Sequence, residues 1–495
     1  MDQLDQAIQK WKSRHSDGGN GSLEGLDQLK EQERLLAFTQ QMAALNDGII
    51  YAARGPGAAY FNLNSVTTFV RALAENLKSS KALFGYNTPV SGFDLPQCAI
   101  ACAINSGTEG RFLDEPVCLS YLSYVVSTFK YSFGVYLDYI DPQYYQIIVI
   151  NNEGCIASYQ FMQTINYLNK GYGMDVPIPV PNNLMDGHRI PLDEMEIYTK
   201  AYCKALKKTK LPVGDEIISA SALTFVHSAH NGSTGKIFNE LVTEFGFKRF
   251  TFIDTDLIGD SNHIFRTQTA TLLSQRVTEF MTDPAIGPNI ILVHNSDGTR
   301  VLLLEKKPDG QYIEFSDFEV SVLLVWWSLL MYKNQKMYRK HSPSKYRRNQ
   351  YNFDQPARVT VTYNQFIEPI KEMCSVENQI LMQSHSPAMF GEELINLIQR
   401  RVQYRQAVSN IKSVENLPEN LQNVELPVPL LIALAEYRLM CDPEIIHVWD
   451  AVGAALHLSQ MAVYLYAFNR ITLLQHLDAI SAAFPSIHRR RTTRR

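Results

Sequence analysis

The chain has 495 residues, of which 45% are hydrophobic and 19% are charged, so it is long enough for two or three globular domains with substantial cores. A net charge of −4 at pH 7 argues against a protein that coats nucleic acid by charge alone. The seven cysteines are an odd number and form no Cys-x-x-Cys pair, which disfavours a disulfide framework or a four-cysteine zinc site and indicates a cytoplasmic location.

The N-terminal part of the chain predicts a mixed α/β domain. Residues 1–23 form a polar leader that lacks the apolar core of a secretory signal. Apolar residues recur at helical spacing at about residues 24–46 and 65–80, and the run Tyr144–Ile150 is rich in the residue types that favour strands. We therefore expect one domain over residues 24–175.

A proline-rich segment separates this domain from the next. Residues 176–191 contain four prolines, which exclude a regular helix there and predict a connector over residues 176–215. The remaining boundaries predicted are a Rossmann-like domain at 216–330, a basic and aromatic linker at 331–363, and a mainly helical region with a basic tail at 364–495. The predicted fold class is therefore α/β, with a Rossmann-like central domain between a mixed α/β N-terminal domain and a helical C-terminal region.

A glycine turn between two apolar runs is the strongest functional motif of the chain. The run Ala222–Val226 has the length of a buried strand, and Gly232 and Gly235 follow it. A stretch with helical apolar spacing comes next, and a second apolar run then ends in Asp254. This order of strand, glycine turn, helix, strand and acid predicts a Rossmann-like nucleotide-binding unit. Glycines let a phosphate approach the backbone, and the N-terminus of the following helix attracts anions.

Polar residues after the second strand extend this motif. Asp254 and Asp256 are expected on the same face of an extended chain, where two carboxylates suit a ribose or a hydrated metal ion. Asn262 and Arg266 come next and are suited to binding phosphate oxygens. Two glycines alone are a weak signal. In the alternative interpretation, the glycines form a plain loop and the aspartates merely follow the end of a strand.

These residues resemble a known family signature. The run that carries the resemblance consists of Gly235, Gly246, Asp254, Asp256, Ser261, Asn262 and Arg266. It is similar to the signature of the ThiF/MoeB-like superfamily, which includes the activating enzymes of ubiquitin-like proteins. The resemblance implies ATP binding and adenylation of the C-terminal carboxylate of a ubiquitin-like or peptide partner, with Asp254 at the ribose and Asn262 and Arg266 near the phosphates. It also implies a magnesium ion, for which Asp297 is the candidate ligand, and a thioester nucleophile, for which Cys374 is the candidate.

Departures from the family pattern support a second hypothesis. His230 stands at the place of the first glycine, and His294 stands at the place of the magnesium-binding aspartate. Arg276 is the only lysine or arginine in the segment 269–288, where the family has a lysine that meets the phosphates. The alternative function is a non-catalytic structural or interaction protein with a Rossmann-like domain. A methyltransferase, whose glycine turn and strand-end acid have similar spacing, is a third hypothesis.

Two basic segments and one apolar run bear on partners. Residues 333–348 alternate basic and aromatic side chains and residues 489–495 form a basic tail, so nucleic-acid or acidic-surface contact is one interpretation and solvated loops are the other. Val320–Tyr332 is apolar, but its thirteen residues are too few to span a bilayer as a helix, so no membrane span is expected. A homo-oligomer is a further prediction that the sequence leaves open.

Overall fold

The fold is built on two β-sheets with helices on their faces. The computed structural model describes residues 49–53, 63–77, 81–87, 95–113, 115–141, 144–157, 161, 188–208, 213–257, 273–283, 287–316, 319–320, 322–324, 326–327 and 445–483. These segments form one six-stranded sheet and one five-stranded sheet, each with parallel and antiparallel neighbours. The α/β fold class is therefore confirmed.

The first unit contains the six-stranded sheet. Its elements are β1 (Ile49–Ala53), α1 (Leu63–Asn76), β2 (Lys81–Tyr86), α2 (Leu95–Asn105), β3 (Glu109–Leu113), α3 (Leu119–Thr128), β4 (Phe133–Asp141), β5 (Tyr144–Asn151) and β6 (Arg189–Ile190). The strand order across the sheet is β1-β5-β4-β2-β3-β6. The helix expected near residues 65–80 and the strand expected at Tyr144–Ile150 are both present, while the helix expected at 24–46 lies outside the described residues.

The second unit contains the five-stranded sheet. Two helices, α4 (Leu192–Lys208) and α5 (Asp215–Ala220), precede it, so the segment expected to connect the domains includes a regular helix directly after Pro191. The unit continues with β7 (Phe225–Ser228), α6 (Thr234–Glu244), β8 (Phe250–Ile253), α7 (Gln275–Thr282), β9 (Ile290–His294), β10 (Val301–Lys306) and β11 (Tyr312–Phe315). The strand order is β11-β10-β9-β7-β8.

The two sheets share one topology. In the first unit, β2 pairs in parallel with both β3 and β4, and β4 pairs antiparallel with β5. In the second unit, β7 pairs in parallel with both β8 and β9, and β9 pairs antiparallel with β10. The strand order β3-β2-β4-β5 in the first sheet therefore corresponds to the strand order β8-β7-β9-β10 in the second sheet. In such sheets ligands bind beyond the carboxyl ends of the strands where the strand order reverses, which here means the ends of β2 and β7.

Both faces of each sheet are covered because successive side chains along a strand point to opposite faces. Leu83 of the first sheet and Leu292 of the second belong to one continuous hydrophobic cluster that includes residues of α3, α4 and α6. Phe84 points the other way, into a cluster with α1 and α2. Ile291 likewise points to the far face of the second sheet, which α7 covers through Val277. The helices between the two sheets therefore join both units into one core.

Two C-terminal helices complete this shared core. Helix α8 (Ala451–Tyr464) continues through a π-helical turn (Leu465–Asn469) and is followed by α9 (Leu473–Ala483). Among the described residues, Ala451–Asn469 is the one helical stretch whose length and composition would allow it to cross a membrane, and 78% of its most apolar window is buried inside the protein. That burial is the behaviour of a core helix, since α8 packs on α6, β9 and β10.

Candidate functional site

The glycine turn has the predicted strand, helix and strand around it, but a protein loop occupies its surroundings. Gly232 and Gly235 lie between β7 and the first turn of α6. A Cβ atom on Gly232 would lie 2.4 Å from the Cα of Ser296, and one on Gly235 would lie 3.2 Å from the Cβ of Ala229. The glycine at position 232 is therefore required because backbone packs against backbone. The loop of residues 295–300, named here the junction loop, fills the space that a nucleotide phosphate would need.

Three consecutive carbonyl groups of the junction loop each accept a hydrogen bond from the start of a different helix. The carbonyl of Ser296 accepts from the backbone N–H of Ser233, which caps α6 (3.1 Å). The carbonyl of Asp297 accepts from Leu119 of α3 (3.2 Å), and that of Gly298 accepts from Ala451 of α8 (3.0 Å). The first N–H groups of a helix lack acceptors within the helix, so these contacts satisfy them. The junction loop thus connects the first unit, the second unit and the C-terminal helices.

Asp297, the candidate magnesium ligand, is turned toward its own loop. Its Oδ1 atom accepts hydrogen bonds from the backbone N–H (3.0 Å) and the hydroxyl (2.8 Å) of Thr299, and the residue is buried. Magnesium requires several oxygen ligands in octahedral geometry. Within the described segments no group of three or more histidine, cysteine, aspartate or glutamate side chains could hold a metal ion. The residues present do not fit a preformed metal site, and magnesium binding at Asp297 stays a prediction.

The histidines near the turn form a structural pair. His294 Nε2 lies 2.9 Å from the carbonyl of Ala451 and must donate to it, so its Nδ1 accepts from His227 Nε2 at 2.6 Å. Burial lowers the pKa of His294 to about 4 and lowers that of His227 well below its usual value. Both rings are therefore neutral at pH 7, and the hydrogen bonds connect β7, β9 and the start of α8.

A buried polar network joins the two units at the carboxyl ends of their strands. Asn87, directly after β2, donates from Nδ2 to Asp138 Oδ1 (2.8 Å) and to the hydroxyl of Ser296 (3.0 Å). Gln146 of β5 donates to the other oxygen of Asp138 (2.6 Å). All four side chains are buried. Sequence reasoning missed this network because its members lie up to 209 residues apart and match no local pattern.

Asp254 lies at the other side of the second sheet and faces a cleft. It follows β8 directly, its side chain is 7% exposed, and its φ of 50° is left-handed. Its Oδ2 atom accepts hydrogen bonds from the hydroxyls of Ser228 and Ser274, both at 2.6 Å. A cleft of about 350 Å³, named here the Asp254 cleft, is lined by Asp254, Ser274, Gln275, Arg276 and Glu279.

The start of α7 forms one wall of the Asp254 cleft. Ser274 caps this helix, because its hydroxyl oxygen accepts from the backbone N–H of Val277 at 3.1 Å. The N–H groups of Gln275 and Arg276 come earlier in the helix and have no acceptor within it. Ser274 therefore both starts the helix and holds Asp254. A serine directly before an amphipathic pattern predicts the start of a helix, so the sequence contained a signal for the start of α7 at Ser274.

Asp256 is not among the described residues that line the cleft with Asp254. Asp256 is exposed, and the left-handed backbone at Asp254 breaks the extended geometry that would have placed both carboxylates on one face. Asn262, Arg266 and Cys374 lie outside the described residues, as do the basic segments 333–348 and 489–495.

Four cysteines whose side chains the structure describes are all buried, and they are Cys102, Cys118, Cys155 and Cys203. Burial raises the pKa of Cys118 and of Cys203 to about 12. These two thiols stay protonated at pH 7, so they are not nucleophiles.

Comparison with known proteins gives a different structural similarity from the one that the sequence motif predicted. No protein-family model and no curated sequence matches this chain. A solved structure from Thermus thermophilus, described as a candidate phosphomannomutase, is similar over 88% of this chain and 83% of its own, with 13% identity and a TM-score of 0.57. This similarity shows a shared fold.

Two other solved structures are more distantly similar. A phosphoglucomutase/phosphomannomutase family protein from Burkholderia thailandensis has 13% identity and a TM-score of 0.41, with 59% of this chain and 60% of that one covered. An N-acetylglucosamine-phosphate mutase of the α-D-phosphohexomutase superfamily has 10% identity and a TM-score of 0.36, with 90% and 86% covered.

The resemblance to the ThiF/MoeB-like superfamily is therefore wrong. The fold is shared with a protein described as a phosphomannomutase, and the adenylation of a ubiquitin-like partner, the activating-enzyme assignment and the expected ATP all depended on that resemblance. The physical reason lies at the glycine turn, where the junction loop accepts the N–H of Ser233 and packs against Gly232. The strand, glycine turn, helix, strand and acid are present, but the backbone of Ser296 lies against Gly232, where the resemblance implies a nucleotide.

Proposed function

We propose that this protein binds a hexose monophosphate in the Asp254 cleft. The observation that carries the proposal is the pairing of a buried acceptor, Asp254, with the start of α7 in one cleft. The fold shared with a protein described as a phosphomannomutase supports a phosphorylated sugar as the ligand. The cleft also lies beyond the carboxyl end of β8, next to the end of β7, the strand at which the order of the sheet reverses.

The start of α7 is suited to the phosphate group. The backbone N–H groups of Gln275 and Arg276 and the positive end of the helix dipole favour an anion there. The guanidinium of Arg276 lines the same cleft and can bind two phosphate oxygens at once. Arg276 is exposed, so its side chain can reach a ligand without a rearrangement of the core.

The remaining lining residues are suited to the sugar. Asp254 and Glu279 carry two negative charges against the single positive charge of Arg276. A bare phosphate dianion would be repelled by that excess, whereas the hydroxyl groups of a hexose can donate hydrogen bonds to both carboxylates. Gln275 donates from Nε2 to Glu279 Oε1 at 2.9 Å and so orients one of them. The mixed charge of the cleft therefore favours a sugar phosphate over inorganic phosphate.

Binding can be measured by isothermal titration of the full chain with mannose 6-phosphate and glucose 6-phosphate. We expect Arg276→Ala to weaken binding about tenfold or more, since a charge-assisted hydrogen bond contributes about 1.5–3 kcal/mol. Arg249→Ala is the matched control, because Arg249 is an exposed arginine of the same unit and does not line the cleft. No saturable binding by the wild-type protein, or equal losses in both variants, would reject the proposal.

The same preparation allows a test of turnover. Phosphorus-31 NMR would follow movement of the phosphoryl group between the hydroxyls of mannose, which is the reaction that the name phosphomannomutase describes. Adding EDTA to parallel samples tests the magnesium ion predicted at Asp297. The division into a mixed α/β N-terminal domain, a Rossmann-like domain at 216–330 and a helical C-terminal region is likewise a proposal, which limited proteolysis can test.

A further inference from the structure

We infer that Asp254 selects ligands that carry a hydroxyl group beside their phosphate, and that Ser228 is one of the two residues that position it for this task. The inference rests on the proposed function, because it concerns the same cleft. It goes further by assigning the discrimination between a sugar phosphate and a simple phosphate ester to one carboxylate oxygen. Three independent features of Asp254 support it.

The first feature is the way in which the carboxylate is held. Both donors, the hydroxyls of Ser228 and Ser274, bind the same oxygen, Oδ2, at 2.6 Å. They come from different elements, since Ser228 ends β7 and Ser274 caps α7. Two short hydrogen bonds from different elements fix the orientation of the carboxylate. The other oxygen, Oδ1, has no hydrogen-bond partner within the described part of the chain and belongs to a residue that lines the cleft.

The second feature is burial. Only 7% of Asp254 is exposed, so Oδ1 depends on water in the cleft, or on a ligand, for its hydrogen-bond donors. A ligand hydroxyl that donates to Oδ1 would replace that water. A ligand without such a hydroxyl would displace water from the cleft and leave Oδ1 without a donor. The carboxylate therefore changes the difference in affinity between the two classes of ligand more than it raises the affinity for either class.

The third feature is the backbone of Asp254. Its φ of 50° lies in the left-handed region, which glycine adopts routinely and which asparagine and aspartate adopt occasionally. The conformation is held by the carbonyl of Asp254, which accepts from the backbone N–H of Asn231 at 2.7 Å. Unusual backbone conformations that the surrounding structure enforces cluster at ligand sites. Here the conformation turns the side chain away from the strand direction and toward Ser228 and Ser274.

The chemistry that follows is the recognition of a polyhydroxylated phosphate ester. The phosphate lies at the start of α7, and a hydroxyl of the same molecule donates to Asp254 Oδ1. Ser228 does not line the cleft and is fully buried, so it acts through Asp254 and is a positioning residue. Its loss frees the carboxylate to rotate but leaves Arg276 and the helix N-terminus unchanged.

The test compares two ligands, mannose 6-phosphate and methyl phosphate, by isothermal titration of the full chain. Wild-type protein is expected to prefer the sugar phosphate. Asp254→Asn replaces one of the two acceptor oxygens of the carboxylate with an NH₂ group, which is a donor. Ser228→Ala removes one of the two hydroxyl donors that hold the Asp254 carboxylate. We expect each variant to reduce the preference about tenfold, with little change in the dissociation constant for methyl phosphate. Thr251→Ala is the matched control, because Thr251 is exposed on the neighbouring strand β8 and is not part of the cleft.

The outcomes separate this inference from the proposed function. If both ligands bind but neither variant changes the preference, or if both ligands weaken equally, Asp254 is not the selecting residue and the phosphate site stands. If neither ligand binds wild-type protein, the proposed function fails first. Thermal unfolding of each variant is measured in parallel, and Asp254→Asn carries the test if Ser228→Ala does not fold.

Discussion

Gly298 allows a quantitative test of how the junction loop connects the units. Its φ of 72° is left-handed, and an alanine there costs about 1–2 kcal/mol from the backbone alone. Its Cβ would lie 2.8 Å from Thr234 Cγ2 and 2.9 Å from Cys118 Cβ, atoms of two different helix starts. Such overpacking costs about 1–3 kcal/mol. Gly298→Ala should therefore lower the free energy of unfolding by about 2–5 kcal/mol.

Gly310 supplies the matched control for that experiment. It has a similar φ of 84°, but no atom lies within 4 Å of its would-be Cβ. Gly310→Ala should show the backbone cost of about 1–2 kcal/mol and nothing more. Urea unfolding followed by tryptophan fluorescence measures both losses, and their difference isolates the packing of helix starts around Gly298. Equal losses in the two variants would refute the view that the helices enclose Gly298 tightly.

Three further predictions concern pH and the glycine turn. Burial raises the pKa of Glu305 to about 7. The protonated side chain therefore contributes fully to stability below pH 4.5, and this contribution is lost as the pH rises through 7. Urea unfolding should show that the wild-type protein loses about 3 kcal/mol of unfolding free energy across that pH range relative to Glu305→Gln. Burial lowers the pKa of His294 to about 4. The neutral ring therefore contributes fully to stability above pH 6.5, and this contribution is lost as the pH falls through 4. In acid unfolding, the unfolding free energy of His294→Gln should fall by about 3 kcal/mol less than that of the wild-type protein over this pH range. Gly232→Ala places a Cβ 2.4 Å from the backbone of Ser296 and should cost about 3 kcal/mol or more, measured by thermal unfolding, while an unchanged melting temperature would contradict the close approach.

Local patterns in the sequence predicted the elements around the glycine turn well. The helical spacing after Gly235 corresponds to α6, and the apolar run at 250–253 corresponds to β8 residue for residue. These patterns arise because an amphipathic helix and a short strand each bury a face that the chain encodes locally. The strand expected at 222–226 instead begins at Phe225, because its neighbours β8 and β9 pair with it only from there.

The function of the turn could not be predicted in the same way. A glycine is required wherever any group approaches the backbone closely, and the sequence does not say whether that group is a phosphate or another segment of protein. At Gly232 it is the backbone of Ser296, which belongs to the loop after β9. Asp254 follows β8 as the apolar run predicted, but its hydrogen-bond donors are serines of β7 and α7, and its role at a ligand stays a prediction. Long-range pairing of this kind leaves no local periodicity.

The shared topology of the two sheets allows the starts of two equivalent helices to be compared. Helix α3 lies between β3 and β4 as α7 lies between β8 and β9, so their N-termini are equivalent positions in the two units. The start of α3 is closed, because Leu119 donates to the carbonyl of Asp297 in the junction loop. In α7 the equivalent N–H groups border the Asp254 cleft. Of these two helices, α3 thus uses its start to hold the second unit, while the start of α7 lines the cleft in which we propose that a phosphate binds.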